Sequence, residues 1–189
     1  MNITLSWDLF VLVFFVIIVA YSLIIGRDNT LKVILGTYVA MIASDATGAL
    51  FERYFNGTPV FAQLLKFASV ANDQEAVVFV KVIVFVILVI LFAVRGAFHV
   101  DTVDDRSALI RLAMSLVYAA MSAGLIISAI LVFVSGASFI GNGTEGGSLA
   151  LWTIYNKSQM IESIVRNSYF WFSIPALSFL IHSLYSHEE

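Results

Sequence analysis

Cysteine is absent from this chain of 189 residues, which excludes disulfide bonds, thiolate catalysis and cysteine-ligated metal sites. Charged residues are scarce as well. They make up 12% of the sequence, whereas a soluble globular domain carries about 25%. The net charge of -3 argues against binding to nucleic acid, which requires a basic face. The sequence therefore lacks the residues that several common classes of soluble protein depend on.

Apolar residues are abundant instead. Hydrophobic residues account for 60% of the chain, including 16 phenylalanines, and the mean hydropathy is +0.95. Such a composition leaves too little polar surface to cover a particle in water, because soluble domains are usually about 45–50% apolar. The sequence predicts an all-α integral membrane protein whose main partner is the lipid bilayer.

Five apolar segments are candidates for membrane helices, since about 20 apolar residues cross the hydrocarbon core. Their expected ranges are 9–26, 31–51, 76–94, 108–135 and 169–185. The first four predict transmembrane helices in a single multi-pass domain over residues 1–189. The fifth is shorter and contains Pro175, so both a spanning helix and an interfacial one remain open.

The connections between these segments also carry local signals. Gly26 suits the position just after a helix, and Asn29 or Thr30 suits the cap of the next one. Apolar residues recur at helical spacing within 56–75, which predicts an amphipathic interfacial helix between helices 2 and 3. Basic residues are denser in the first and third connections, which favours an outside N-terminus.

Asp45 is the outstanding polar residue, because it lies inside the second apolar segment. A charged side chain within a membrane helix is costly and is a functional candidate by default. Asp45, with Lys81 of the third segment, is thus a candidate proton or cation site, or one half of a buried pair with Lys81. The alternatives are a carboxylate that Ser and Thr hydroxyls hydrogen-bond at a packing seam, and one that is protonated and silent. Lys81 also lies close enough to the start of its segment for its side chain to extend outward to the membrane surface.

Small residues recur every four positions in two of the segments, a pattern that lets helices approach closely. The two rows, which predict helix-packing seams, are Gly36, Ala40, Ser44 and Gly48 in the second segment and Ala120, Gly124 and Ser128 in the fourth. We expect the fourth segment to pack against the second through these residues. Self-association or contact with another membrane protein would use the same pattern.

Catalytic and metal-binding patterns are missing. The histidines, His99, His182 and His187, do not have the spacing of metal ligands. No set of nucleophile, base and orienting residue is present, and neither is a glycine-rich phosphate loop. The sequence therefore predicts no enzyme activity, no metal and no cofactor.

The parts of the chain follow one another in a definite order. An aromatic and acidic start, "SWDLFVLVFFVIIVAYSL", leads through "IIGRDNTLK" to "VILGTYVAMIASDATGALFERYF". A polar loop then opens a helix rich in small residues, "VDDRSALIRLAMSLVYAAMSAGLIISAILVF", and "KSQMIESI" precedes a final aromatic segment. This order of parts resembles the colicin V production protein family of bacterial inner-membrane proteins.

The resemblance implies a multi-pass protein of the bacterial inner membrane, linked to colicin V production, a toxin biosynthetic process, and to envelope maintenance. It implies no catalytic residue. The leading expectation is a non-enzymatic accessory or scaffold protein in envelope or export function. The alternative is a small proton- or cation-coupled transporter or channel subunit that uses Asp45.

Overall fold

A computed structural model describes residues 7–55, 58, 73–96, 108–135, 139 and 159–185. These residues form six helices: α1 (Trp7–Ile25), α2 (Arg27–Phe55), α3 (Asp73–Arg95), α4 (Ala108–Val134), α5 (Gln159–Arg166) and α6 (Ser168–Tyr185). No strand occurs in the described ranges, so the all-helical expectation is confirmed for them. The segment 56–75, for which an amphipathic helix was predicted, lies outside the described residues apart from 58 and 73–75, and 73–75 begin α3.

Four of the helices, α1 to α4, are long and apolar enough to cross a membrane. Their bounds agree with the predicted ranges to within a few residues, but α2 extends beyond 31–51 at both ends and is 29 residues long. The fifth predicted segment is also helical. Its apolar part, Ser168–Ile181, is shorter than the other four, and whether it spans remains a prediction.

The chain turns between α1 and α2 at a single residue, Gly26. Its φ of 85° is a conformation that glycine adopts readily and other residues rarely adopt. The expected capping role of Asn29 and Thr30 was wrong, because both lie within α2. Thr30 Oγ1 instead lies 3.0 Å from the carbonyl oxygen of Ser22 and 2.8 Å from that of Gly26, and its single proton, shared between the two oxygens, joins the helices through the turn.

The most extensive helix contact joins α2 and α3. Near one end of the pair a Cβ on Gly36 would lie 2.6 Å from Phe92 Cβ, and toward the other end a Cβ on Gly48 would lie 2.5 Å from Lys81 Cε. Residue numbers thus fall along α3 as they rise along α2, so the helices are antiparallel. The side of the bundle that holds the Gly26 turn is called the Gly26 end below, and the opposite side the Asp45 end.

Helices α2 and α4 form the centre of the bundle, whereas α1 and α3 flank it. Half of the apolar window of α2 and 67% of that of α4 are buried, against 11% for α1 and 17% for α3. The core between them includes Leu31, Ile34, Phe85, Leu125 and Phe133. Large apolar side chains cover the outer faces of the flanking helices, as expected where the surrounding solvent is lipid.

Helix α5 was not predicted from the sequence. Its apolar residues Ile161, Ile164 and Val165 are spaced so that they share one face, and Ile161 is buried against Val11 and Ile127. The start of α1 and the last part of α4 therefore meet at the Asp45 end, and these two helices are antiparallel.

Candidate functional site

Asp45 lies on the buried face of α2. Met41, Ser44, Asp45 and Gly48 are all buried, and their spacing of three and four residues places them on one side of a helix. The position of Asp45 on this face therefore directs its carboxylate toward the protein interior. Its side chain is 0% exposed. Among the described residues, it is the one charged side chain that is completely buried.

Lys81 of α3 is the partner of this carboxylate. Its Nζ atom lies 2.7 Å from Oδ1 of Asp45, and its side chain is 11% exposed. Of the two expectations for Lys81, the buried pair with Asp45 is the one observed, and the outward extension to the membrane surface was wrong. The lysine turns inward because a carboxylate without a partner is far costlier to bury than one that is paired.

Gly48 provides the path that the lysine follows. A side chain at this position would collide with Cγ, Cδ and Cε of Lys81. The absence of a Cβ lets the methylene stem pass directly over the α2 backbone and brings the ammonium group to Asp45, three residues earlier. The small-residue row and the acidic residue thus belong to one arrangement.

The second carboxylate oxygen is held by the main chain that follows α4. The backbone N–H of Phe139 donates a hydrogen bond of 2.6 Å to Oδ2 of Asp45. The ring of Phe139 packs edge to face against Phe133, with centroids 5.5 Å apart, and against Phe172 of α6, at 5.4 Å. This contact was not predicted, because a backbone donor far along the chain leaves no pattern in the sequence.

Three segments therefore meet at Asp45: α2, α3 and the chain after α4. Buried ion pairs are favourable only when further hydrogen bonds satisfy the charged groups. Here each carboxylate oxygen has a polar partner. Chemically, the arrangement can hold the three segments together, and if the pair opens, the carboxylate can accept a proton or a cation from another source.

The predicted packing residues occupy two different interfaces. Gly36, Ala40, Ser44 and Gly48 are all buried on α2, and both glycines face α3. On α4, Ala120 is half-buried and Ser128 is completely buried. Gly124 lies against the indole of Trp171, whose Cδ2 atom would be 2.7 Å from a Cβ at this position. The nearest neighbour of Gly124 is thus in α6, although α2 was the expected partner.

Helix α6 also has a polar attachment to α2. The hydroxyl of Tyr38 donates a hydrogen bond of 2.5 Å to the carbonyl of Phe172. Pro175 follows within the same helix and is completely buried. The proline-containing segment is therefore packed into the bundle through Trp171, Phe172 and Pro175.

Within the described ranges, no group of histidine, aspartate and glutamate residues could hold a metal ion. Comparison with known proteins identified no matching family model, no similar curated protein and no similar solved structure.

Proposed function

We propose that this chain is a multi-pass membrane protein with a non-enzymatic accessory or scaffold role, and that its buried polar groups serve to hold its helices together. The observation that carries this proposal is the engagement of both Asp45 oxygens, by Lys81 Nζ at 2.7 Å and by the Phe139 N–H at 2.6 Å. A carboxylate held on both sides by its own chain is suited to fixing an architecture.

The membrane setting is supported by the distribution of apolar side chains. Exposed large residues recur along α1 and α3, including Phe10, Ile17, Ile24, Ile87 and Val94. Isolated exposed apolar residues are ordinary, but continuous apolar faces on helices of this length are typical of contact with lipid. We therefore place these helices across a bilayer.

The finer assignment rests on the order of parts in the sequence. Similarity to the colicin V production proteins leads us to place the chain in the bacterial inner membrane, with a role in envelope or export function. An outside N-terminus is the orientation that the basic residues of the connections favour.

A second candidate function is supported by the same ion pair. Intramembrane carboxylates are characteristic of proton and cation pathways, and Asp45 has a lysine as its neighbour. A transporter or channel subunit would open the pair to take up a proton or cation. The closed geometry favours the structural role, because a carried ion would have to displace two existing contacts.

Flux measurements separate the two functions. The purified chain is reconstituted into proteoliposomes, and proton, Na⁺ and K⁺ flux are compared for the parent, Asp45→Asn and Glu52→Gln. Glu52 is a matched control, since it is an exposed carboxylate on the same helix. The scaffold proposal expects no flux above that of protein-free vesicles in any sample. Flux that Asp45→Asn abolishes and Glu52→Gln retains would establish the transporter.

A further inference from the structure

An apolar cleft opens between α1 and α3, two flanking helices that hardly touch each other. Its volume is about 450 Å³, within the range of about 300–1,000 Å³ that is typical of pockets for small molecules. Phe14 and Ile18 form one wall, Val86 and Val89 the other, and Ile126 of α4 lies at the base. Exposed residues such as Ile17 and Ile90 border the opening, so the cleft faces the surrounding lipid.

Two serine hydroxyls in this cleft have no hydrogen-bond partner among the described residues. Ser22 of α1 and Ser122 of α4 both line it, and they are 2% and 0% exposed. A buried hydroxyl without a partner is destabilising, and serines in helices usually relieve this by bonding to a carbonyl of the preceding turn. Both serines therefore line the cleft with hydrogen-bonding capacity that no described residue uses.

The two serines lie at different depths. Ser22 is one helical turn from Gly26, at the Gly26 end. Val11 packs beside Ile127 in the antiparallel α1–α4 pair, so Ser22, which follows Val11 by about three turns, is level with position 116 of α4. Ser122 comes six residues later in α4 and therefore lies roughly 9 Å further toward the middle of the bundle, at a rise of about 1.5 Å per residue. The cleft therefore offers one polar contact near the membrane surface and another within the hydrocarbon.

Positive charge borders the shallow end of the cleft. Val33 and Val94 line it, and the residue next to each, toward the Gly26 end, is basic: Lys32 in α2 and Arg95 in α3. The stem of Lys32 lies beside Gly96, at the end of α3. Basic side chains at this level attract anionic head groups.

From the cleft, the hydroxyls and the adjacent charge, we infer that this site binds a long-chain carboxylic acid. The carboxylate lies at the Gly26 end, near Lys32 and Arg95, and accepts a hydrogen bond from Ser22. The apolar chain follows the cleft inward past Ser122, whose hydroxyl selects a chain that carries an oxygen near its middle. The inference does not depend on whether the Asp45–Lys81 pair is structural or carries protons.

Photolabelling of the full chain in phosphatidylcholine nanodiscs tests this binding site. The probe is stearic acid with a diazirine near the end of its chain, and labelled residues are mapped by mass spectrometry. Unlabelled stearic acid, its mid-chain keto derivative and stearyl alcohol serve as competitors. The variants are Ser22→Ala, Ser122→Ala and, as a matched control, Ser128→Ala, which alters a buried, similarly unpartnered hydroxyl that does not line the cleft.

We expect labelling to concentrate on cleft residues such as Ile126 over outward residues such as Leu116. Stearyl alcohol should compete poorly, and the keto acid should compete about fivefold better than stearic acid. Ser122→Ala should remove this preference for the keto acid, Ser22→Ala should weaken both acids equally, and Ser128→Ala should behave as the parent.

Ala93→Phe, which places a ring in the cleft, should abolish specific labelling. Even labelling of cleft and outward residues would overturn the inference. So would equal competition by the acid and the alcohol, or a Ser122→Ala variant that cannot be distinguished from Ser128→Ala.

Discussion

Lys81 reaches Asp45 by passing over Gly48, and its Nζ atom ends 2.7 Å from the carboxylate. The three residues are therefore interdependent. The carboxylate is buried because the lysine pairs with it, and the lysine can reach it because no side chain at Gly48 obstructs the path. Variants that alter each residue separately and in combination can measure this dependence.

Replacement of Lys81 by methionine should destabilise the bundle strongly. Methionine keeps an apolar stem of similar length but removes the ammonium, so Asp45 is left as a buried charge without its partner. Loss of one member of a buried ion pair typically costs about 3–5 kcal/mol. Thermal unfolding of the purified protein in detergent should show a clear fall in midpoint relative to the parent.

The double variant Asp45→Asn with Lys81→Met should recover much of this loss, because it removes both charges and leaves no uncompensated group. Glu52→Gln, on an exposed residue of α2, should leave the midpoint unchanged. If the double variant were as unstable as the sum of the two single variants, the ion pair would not be the source of the effect.

Gly48→Ala should destabilise the protein by displacing the lysine stem. A free side chain would move aside at little cost, but this stem is anchored at its far end by the carboxylate. Overpacking of this kind typically costs about 1–3 kcal/mol, whereas alanine would otherwise favour an α-helix by up to about 1 kcal/mol over glycine. The unfolding midpoint should therefore fall.

The same Gly48→Ala change made in a Lys81→Ala background should have no cost, since the obstructing stem is gone. Helix propensity should then make the alanine neutral or slightly stabilising. An equal loss in both backgrounds would mean that Gly48 matters for a reason other than the lysine, such as a close approach of the α3 backbone.

The sequence could predict those features of the site that depend on the local sequence, and could not predict those that depend on contacts between distant segments. Asp45 stands out because a carboxylate is rare in an apolar segment, and the row from Gly36 to Gly48 because small residues recur at a fixed spacing. Phe139 could not be identified, because its contribution is a backbone N–H, which every residue except proline possesses. The side that Lys81 turns to depends on the packing of two helices, and no local pattern encodes it.

Helix α6 illustrates the same boundary between local and tertiary information. The sequence of 169–185 predicts a helical segment that contains a proline, but it does not predict where this helix lies in the bundle. The row of small residues in α4 suggests close packing at Gly124, yet many large side chains in this sequence could fill such a gap. That Trp171 does so is a consequence of the three-dimensional arrangement alone.

Gly124→Ala should therefore loosen the contact between α4 and α6. Its Cβ would collide with the six-membered ring of Trp171, which is rigid and cannot bend around an added methyl group. We expect a loss of about 1–3 kcal/mol, measured by thermal unfolding and accompanied by a change in tryptophan fluorescence.

Trp171→Leu should suppress the Gly124→Ala defect by making room for the methyl group. Ala113→Leu, on an exposed part of α4, provides the control for added bulk and should have little effect. A Gly124→Ala protein that kept the parent midpoint and fluorescence would contradict the contact with Trp171.

Tyr38→Phe should weaken the attachment of α6 to α2. Pro175 has no N–H and cannot donate the helical hydrogen bond to the carbonyl of Trp171, so this part of α6 has less internal support than an uninterrupted helix. The Tyr38 hydroxyl supplies an outside donor one residue further along, at the carbonyl of Phe172, 2.5 Å away. Its removal should cost about 0.5–1.5 kcal/mol.

Hydrogen exchange distinguishes this local effect from general destabilisation. In Tyr38→Phe, the amides of α6 should exchange several-fold faster, while those of α3, which does not take part in this hydrogen bond, should keep their rates. Tyr54→Phe is the matched control because Tyr54 is on the same helix and 67% exposed, and it should leave both helices unchanged. Equal acceleration in α3 and α6 would show that Tyr38 supports the whole bundle and has no specific role in holding the proline-containing helix.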